Sequence, residues 1–277
     1  MKKFIFLFIV FCVLSSPVFG YHPALKGVIA LIDTDTTNYL NDANVIAGYY
    51  MDDNNTDETD ESGNSQTLTQ TGGSIPTSAT VPSGFSGTSR DFEYGDTEYL
   101  TQADGNGWDV SGADQSFSFF CWIDLESDPN KDQPIINKYN TTGNQRQYTF
   151  RYDDSDDALK VIISQDGTNF SIATGTIGYS TLSDGLHHVG FVYNDTAGTI
   201  SIYVDASVDT NGANNPASHS AGIFDGSDPF YMGTDGGGSN FFDGLIDEPI
   251  GFDRALSGAE VSDLYTDGID GANGGND

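Results

Sequence analysis

The chain has 277 residues, with 41 Asp or Glu against 10 Lys or Arg, giving a net charge of −31. A field of that sign repels DNA, RNA and anionic lipid, which excludes nucleic acid as a partner. A single domain of this length buries roughly 70–75% of the surface its unfolded chain exposes, so core size does not limit stability.

Lys2 and Lys3 precede an apolar run over residues 4–14, too short to span a bilayer, and Ser15, Ser16 and Pro17 break it. Val18-Phe19-Gly20 then reads as a cleavage site, which predicts a secretory signal at 1–20 and Tyr21 as the first mature residue. No second apolar stretch follows, so membrane insertion is not expected. Losing the two leader lysines takes the charge from −31 to −33. Cys12 would leave with the leader. Cys121 then has no partner for an internal disulfide, and core, metal or both must hold the fold.

Residues 21–44 are polar and weakly patterned, a lead-in to a main domain expected over 45–266. Short runs rich in Val, Ile, Phe, Tyr and Thr follow, at 45–51, 117–125, 147–152, 159–164, 189–193 and 199–204. Asp166-Gly167, Asp184-Gly185 and Asp225-Gly226 punctuate them. Strands at this spacing without helical periods predict an all-β sandwich or barrel. In residues 116–126, Phe117, Phe119, Cys121, Ile123 and Leu125 share one wholly apolar face that should point between the sheets. Cys121 is then a small buried hydrophobe. Trp108, among Gly105, Gly107 and Asp109, should anchor a turn with one packed ring. One short C-terminal helix is expected after the capping box Ser257-x-x-Glu260, with Val261, Leu264 and Tyr265 on its inner face and Gly268 ending it. The Gly/Asn/Asp-rich residues 267–277 should form a flexible tail.

Five segments in this order, 116–123, 133–140, 182–193, 200–205 and 242–257, resemble strands of laminin-G-like, concanavalin-A-like (pentraxin-related) jelly rolls of bacterial secreted proteins. Residues 260–265 match the helix that follows, and 47–52 and 90–95 join more weakly. Leu186 stands where the family has Trp before its His pair, and Ala206 stands where it has the Gly of a tight hairpin. The resemblance implies an all-β, antiparallel two-sheet jelly-roll sandwich closed by one short C-terminal helix. It leaves function open, because the fold hosts lectins, adhesins, hydrolases and inert spacers.

Laminarinase-type relatives carry Glu-x-Asp-x-Glu on one strand, and a retaining mechanism needs two carboxyls about 5–5.5 Å apart. Here the stretch reads Trp122-Ile-Asp124-Leu-Glu126, so the nucleophile position is lost and no catalytic residue is assigned. His187 and His188 are adjacent, so on a strand they face opposite ways and cannot hold one metal together. Structural use is favoured for both, with one ring hydrogen-bonded inside.

A structural calcium is expected, because the resemblance ties the first strand to the last through such an ion. Asp52, Asp53 and Asp247 are the candidate ligands, among about six to eight oxygens in all. Sugar sites join an aromatic platform to convergent polar groups. Two loops have that composition, one with Tyr139, Asn144 and Arg146, the other with Asp235, Asn240 and Phe241. The expected function is a secreted or cell-surface, non-catalytic recognition module that binds a glycan or a surface protein. The alternative is a structural or assembly component of a surface layer, filament or virion that keeps the fold without binding sugar.

Overall fold

The computed structural model describes residues 37–128, 130–210, 214–219 and 222–272. The expected leader at 1–20 and most of the lead-in lie outside them. Every strand pairing among the described residues is antiparallel. One sheet runs β13 (Ser207–Val208), β12 (Thr199–Val204), β11 (His187–Asn194), β6 (Phe117–Leu125), β16 (Gly244–Phe252), β4 (Ser89–Phe92), β3 (Thr77–Ser78). On it, β1 (Val45–Gly48) pairs with β16, and β14 (Ala217–Ser218) with β12. The second sheet runs β10 (Phe170–Thr174), β9 (Ala158–Ser164), β8 (Gln145–Asp153), β7 (Gln133–Asn140), β15 (Phe230–Met232), β5 (Tyr99–Gln102), β2 (Thr69–Thr71). The expected two-sheet jelly-roll sandwich is the observed fold.

The period of two in β6 explains how the layers meet. Phe117, Phe119, Cys121, Ile123 and Leu125 are fully buried and join one core with Phe150, Ile163 and Phe191. Burial pushes the Cys121 thiol up, as befits a packing residue. Trp108 is fully buried and stacks on Phe230 at 4.3 Å, with its Nε1 donating to the Tyr49 hydroxyl at 3.1 Å.

The opposite face of β6 is covered too. Phe120 joins a second cluster with Ile250 and Phe252 of β16 and with Val261 and Leu264 of α2 (Gly258–Asp267). α1 (Tyr179–Leu182) is a single turn before β11. Burying Val261 and Leu264 contributes about 1.5–3 kcal/mol each. Both capping-box bonds form: Ser257 Oγ accepts the Glu260 N–H at 3.3 Å, and Glu260 Oε2 accepts the Ser257 N–H at 2.7 Å. Ser257→Ala would cost the helix about 1 kcal/mol.

Packing extends beyond the expected boundaries at both ends. Tyr39 and Leu40 of the lead-in and Ile269 of the tail are buried in the second cluster. The Ile269 carbonyl accepts the Tyr39 and Leu40 N–H groups at 2.9 and 3.3 Å. The first residues past 267 are thus tied to the domain through Ile269, whose partner comes from the other end of the chain.

Strand β16 pairs with β4 through Gly244 to Ile246 and with β1 through Ile250 to Phe252. A bulge between Asp247 and Ile250 separates the two halves, with Glu248 at φ 44°. The hairpin between β12 and β13 stays tight, with two residues between paired Val204 and Ser207. Asp205 and Ala206 both take left-handed backbone there, φ 47° and 60°, so Ala206 carries the strain a glycine would avoid.

Candidate functional site

The pairing of β15 with β7, Tyr231 opposite Asn137, makes neighbours of two loops far apart in the chain. Tyr139 is the last but one residue of β7, and residues 233–242 follow β15. Between them lies a hollow of about 250 Å³ lined by Asn137, Tyr139, Asn140, Arg151, Asp235 and Gly237. Tyr148, Phe150 and Tyr152 of β8 point into the core, so Thr149 and Arg151 face outward beside Asn137.

The six residues singled out from sequence divide by role. Tyr139 and Asp235 line the hollow together. Asn240 fastens the loop, its Nδ2 donating to Asp235 Oδ2 at 2.7 Å while Gly237 N–H reaches Asp235 Oδ1 at 2.8 Å. Asn137 Nδ2 holds the Asp235 carbonyl at 3.1 Å. Phe241 turns inward, 5% exposed and edge-on to Tyr94, so it is no platform. Arg146 places its guanidinium 5.9 Å from the Tyr139 ring centre, and its Nη1 donates to Asn144 Oδ1 at 3.2 Å and to the Gly167 carbonyl at 2.9 Å. Burial raises the Tyr139 pKa, and both Arg146 and Arg151 oppose that rise.

Sequence reasoning missed Phe170 and Arg151. Phe170 is 43% exposed, the one large hydrophobic so exposed among the described residues, and lies edge-on to Tyr139 at 6.3 Å. A lone aromatic just past the Asp166-Gly167 turn carries no periodic signal. Arg151 is visible as a polar residue alternating with Tyr148, Phe150 and Tyr152, but nothing local shows which strand it sits beside.

The acidic loop after β1 gathers a different set from the one expected. Asp52 and Asp53 come together with Glu58, one carboxylate oxygen from each lying within 4.8 Å of the others. The loop folds around Arg90, fully buried, which donates to Glu58 Oε2 at 3.1 Å, the Thr56 carbonyl at 3.0 Å, Gln70 Oε1 at 2.7 Å and the Asp53 carbonyl. Asp247 is not within that 4.8 Å grouping. It is 2% exposed, and its Oδ1 accepts the Glu248 N–H at 2.9 Å. Desolvation, then repulsion from Glu248 and, more weakly, from Glu58 and Asp52, pushes its pKa well up. Burial also lifts Glu58 to about 7 despite Arg90. Three clustered carboxylates against one guanidinium leave charge that a hard, oxygen-seeking cation would neutralise, so the donor set fits calcium chemically.

On β6, Trp122 is buried and stacks on Tyr265 of α2 at 5.3 Å. Glu126 joins Asp91 and Glu93 in a second carboxylate group. The His pair faces opposite ways, as expected, but the hydrogen-bonded ring is the outer one. His187 bridges Asp205 at 2.8 Å and Asp184 at 3.0 Å. Burial works against its charge, yet the two carboxylates outweigh it and its pKa is raised. His188 is the inner ring, packed between Phe120 and Trp122 at 5.3 and 5.1 Å with Nδ1 unpartnered, and burial lowers its pKa to about 3. Leu186 is half-buried at the rim beside Trp122 and Tyr265, so the missing Trp leaves a surface hollow, not a core void.

A sandwich of two antiparallel sheets with an end helix, exposing polar and aromatic groups on the outward face of one sheet, defines a lectin-like domain. Residues 95–262 match the Laminin_G_3 family model, described as the concanavalin A-like lectin/glucanases superfamily, and the chain belongs to that family. No curated protein matches in sequence. Among solved structures, the binding domain of Paraclostridial Mosquitocidal Protein 1 is similar at TM-score 0.58 and 14% identity, covering 80% of this chain and 52% of that one. The botulinum neurotoxin serotype D ligand-binding domain in complex with N-acetylneuraminic acid gives 0.55 and 14%, covering 80% and 50%. A Trypanosoma rangeli sialidase in complex with the inhibitor DANA gives 0.54 and 14%, covering 79% and 32%. The chain thus spans about a third to a half of these proteins' length. At such identity the likeness is one of fold.

Proposed function

We propose that the chain is an exported, non-catalytic carbohydrate-binding module whose sugar site is the hollow beside Tyr139. The observation that carries this reading is the convergence of Asn137, Tyr139 and Asn140 from β7, Arg151 from β8 and Asp235 from the loop after β15 onto one hollow. An aromatic face with amide, carboxylate and guanidinium groups around it is the chemistry that holds a sugar ring. The neurotoxin domain of the same fold binds N-acetylneuraminic acid, which supports the assignment. Against catalysis stands Trp122, buried under α2 where a nucleophile would be needed. A calcium ion held by Asp52, Asp53 and Glu58 belongs to the same proposal; it would supply positive charge to a loop rich in unneutralised carboxylates.

The test is a glycan array probed with the purified protein in calcium, followed by titration of the strongest hit. Tyr139→Ala should weaken that hit about tenfold, or 1.4 kcal/mol, with the thermal midpoint unchanged. An array without any signal, or a Tyr139→Ala protein that binds like the wild type, refutes the assignment.

A further inference from the structure

We infer that the glycan bound at this face is acidic, carrying a carboxylate or sulfate that Arg146 recognises; the inference rests on the carbohydrate-binding reading above. The starting point is how the chain spends its few cations. Arg90, Lys138, Arg151, Lys160 and Arg254 each lie within 4.0 Å of at least one carboxylate. On the outward face itself, Arg151 is held by Asp132 at 3.3 Å and Asp153 at 2.7 Å, and Lys160 by Asp153 at 2.7 Å and Asp156 at 2.6 Å. Among the described residues, only Arg146 and the exposed Lys131 lack such a partner.

In a protein with 41 acids, a guanidinium without a carboxylate is a departure that needs a reason. Acids are close at hand. Asp166 adjoins Gly167, whose carbonyl Arg146 holds, yet its carboxylate bonds back to the Thr168 and Asn169 N–H groups and to Asn169 Nδ2. Asn144, at the position of a natural ion-pair partner, is an amide. It orients Arg146 Nη1 without neutralising it. The Nε of Arg146 is buried with no hydrogen-bond partner.

The surroundings suit a sugar and not a free ion. Tyr139 lies under the guanidinium, and exposed Phe170 meets the ring edge-on. These aromatics offer apolar contact to the C–H face of a pyranose, while the guanidinium fork fits a planar carboxylate or a sulfate ester. Tyr139 also borders the hollow, so one sugar can lie across the ring with its acidic substituent at Arg146.

An array holding neutral glycans together with their sialylated, uronic-acid and sulfated counterparts decides the matter. Signal should be confined to acidic members, and the carboxylated and sulfated sets separate the two anions. Arg146→Gln should weaken the best hit at least about tenfold, Arg146→Lys should lose less, and Lys131→Gln should bind like the wild type. All variants should melt within a degree or two of the parent, which separates lost recognition from lost folding. Neutral glycans binding as well as their acidic counterparts, or unchanged affinity in Arg146→Gln, overturns the charge inference and leaves sugar binding intact. No binding to any glycan overturns both.

Discussion

His188→Phe isolates the cost of a neutral ring locked in an aromatic stack. In the folded protein the imidazole takes a proton only near pH 3, against an ordinary value of 6.5, and burial is the cause. The unfolded chain takes that proton freely below pH 6.5. Stability from the neutral ring is therefore complete above pH 6.5 and drains away as pH falls, at about 1.4 kcal/mol per unit. A phenylalanine fills the slot between Phe120 and Trp122 with a similar ring and has no proton to gain. Relative to the wild type, the variant should gain about 3 kcal/mol between pH 7 and pH 4. The raised carboxylates contribute equally to both proteins and cancel in the difference. Urea unfolding followed by far-ultraviolet circular dichroism at half-unit pH steps measures it. Parallel stability curves for the two proteins across that range would refute the reasoning.

Three further outcomes follow from packing and charge. Arg90→Met strands Glu58 and three acceptor oxygens beside it, and should cost about 3–5 kcal/mol in urea unfolding. Ala206→Gly relieves left-handed strain at φ 60° and should raise stability by about 0.5–1 kcal/mol, read as a higher urea midpoint with the same slope. With calcium at about a hundred times its dissociation constant, the proposed ion should add about 2.7 kcal/mol. For a domain of this size that is a melting shift of roughly 5–10 °C, lost in chelator and lost in Glu58→Gln; a midpoint indifferent to chelator rules the ion out.

The fold was readable because its rules are local. Alternation in β6 announces which side is core, Asp-Gly pairs announce turns, and Ser257 with Glu260 announces a helix start; each needs only a few consecutive residues. The site was readable in part. Tyr139 and Asp235 could be named from composition, but that they face each other depends on β15 lying beside β7, which no short window encodes. Phe241 and Asn240 had the right chemistry and the wrong direction, since one side chain is spent on the core and the other on its own loop. Glu58 and Arg90 escaped notice for the same reason. Their pairing spans two chain segments, and an arginine buried among carbonyls looks in sequence like any surface cation. The second cluster beneath α2 depends on single apolar residues at both ends of the domain, too sparse to form a pattern.

Strand β16 occupies the middle of its sheet and is nearly the last piece of the domain to be synthesised. Until residues 244–252 leave the ribosome, β6, β4 and β1 have no common neighbour, and half the sandwich stands open along a raw seam. Assembly must therefore wait for the whole domain, and a nascent chain halted before residue 244 would expose aggregation-prone strands.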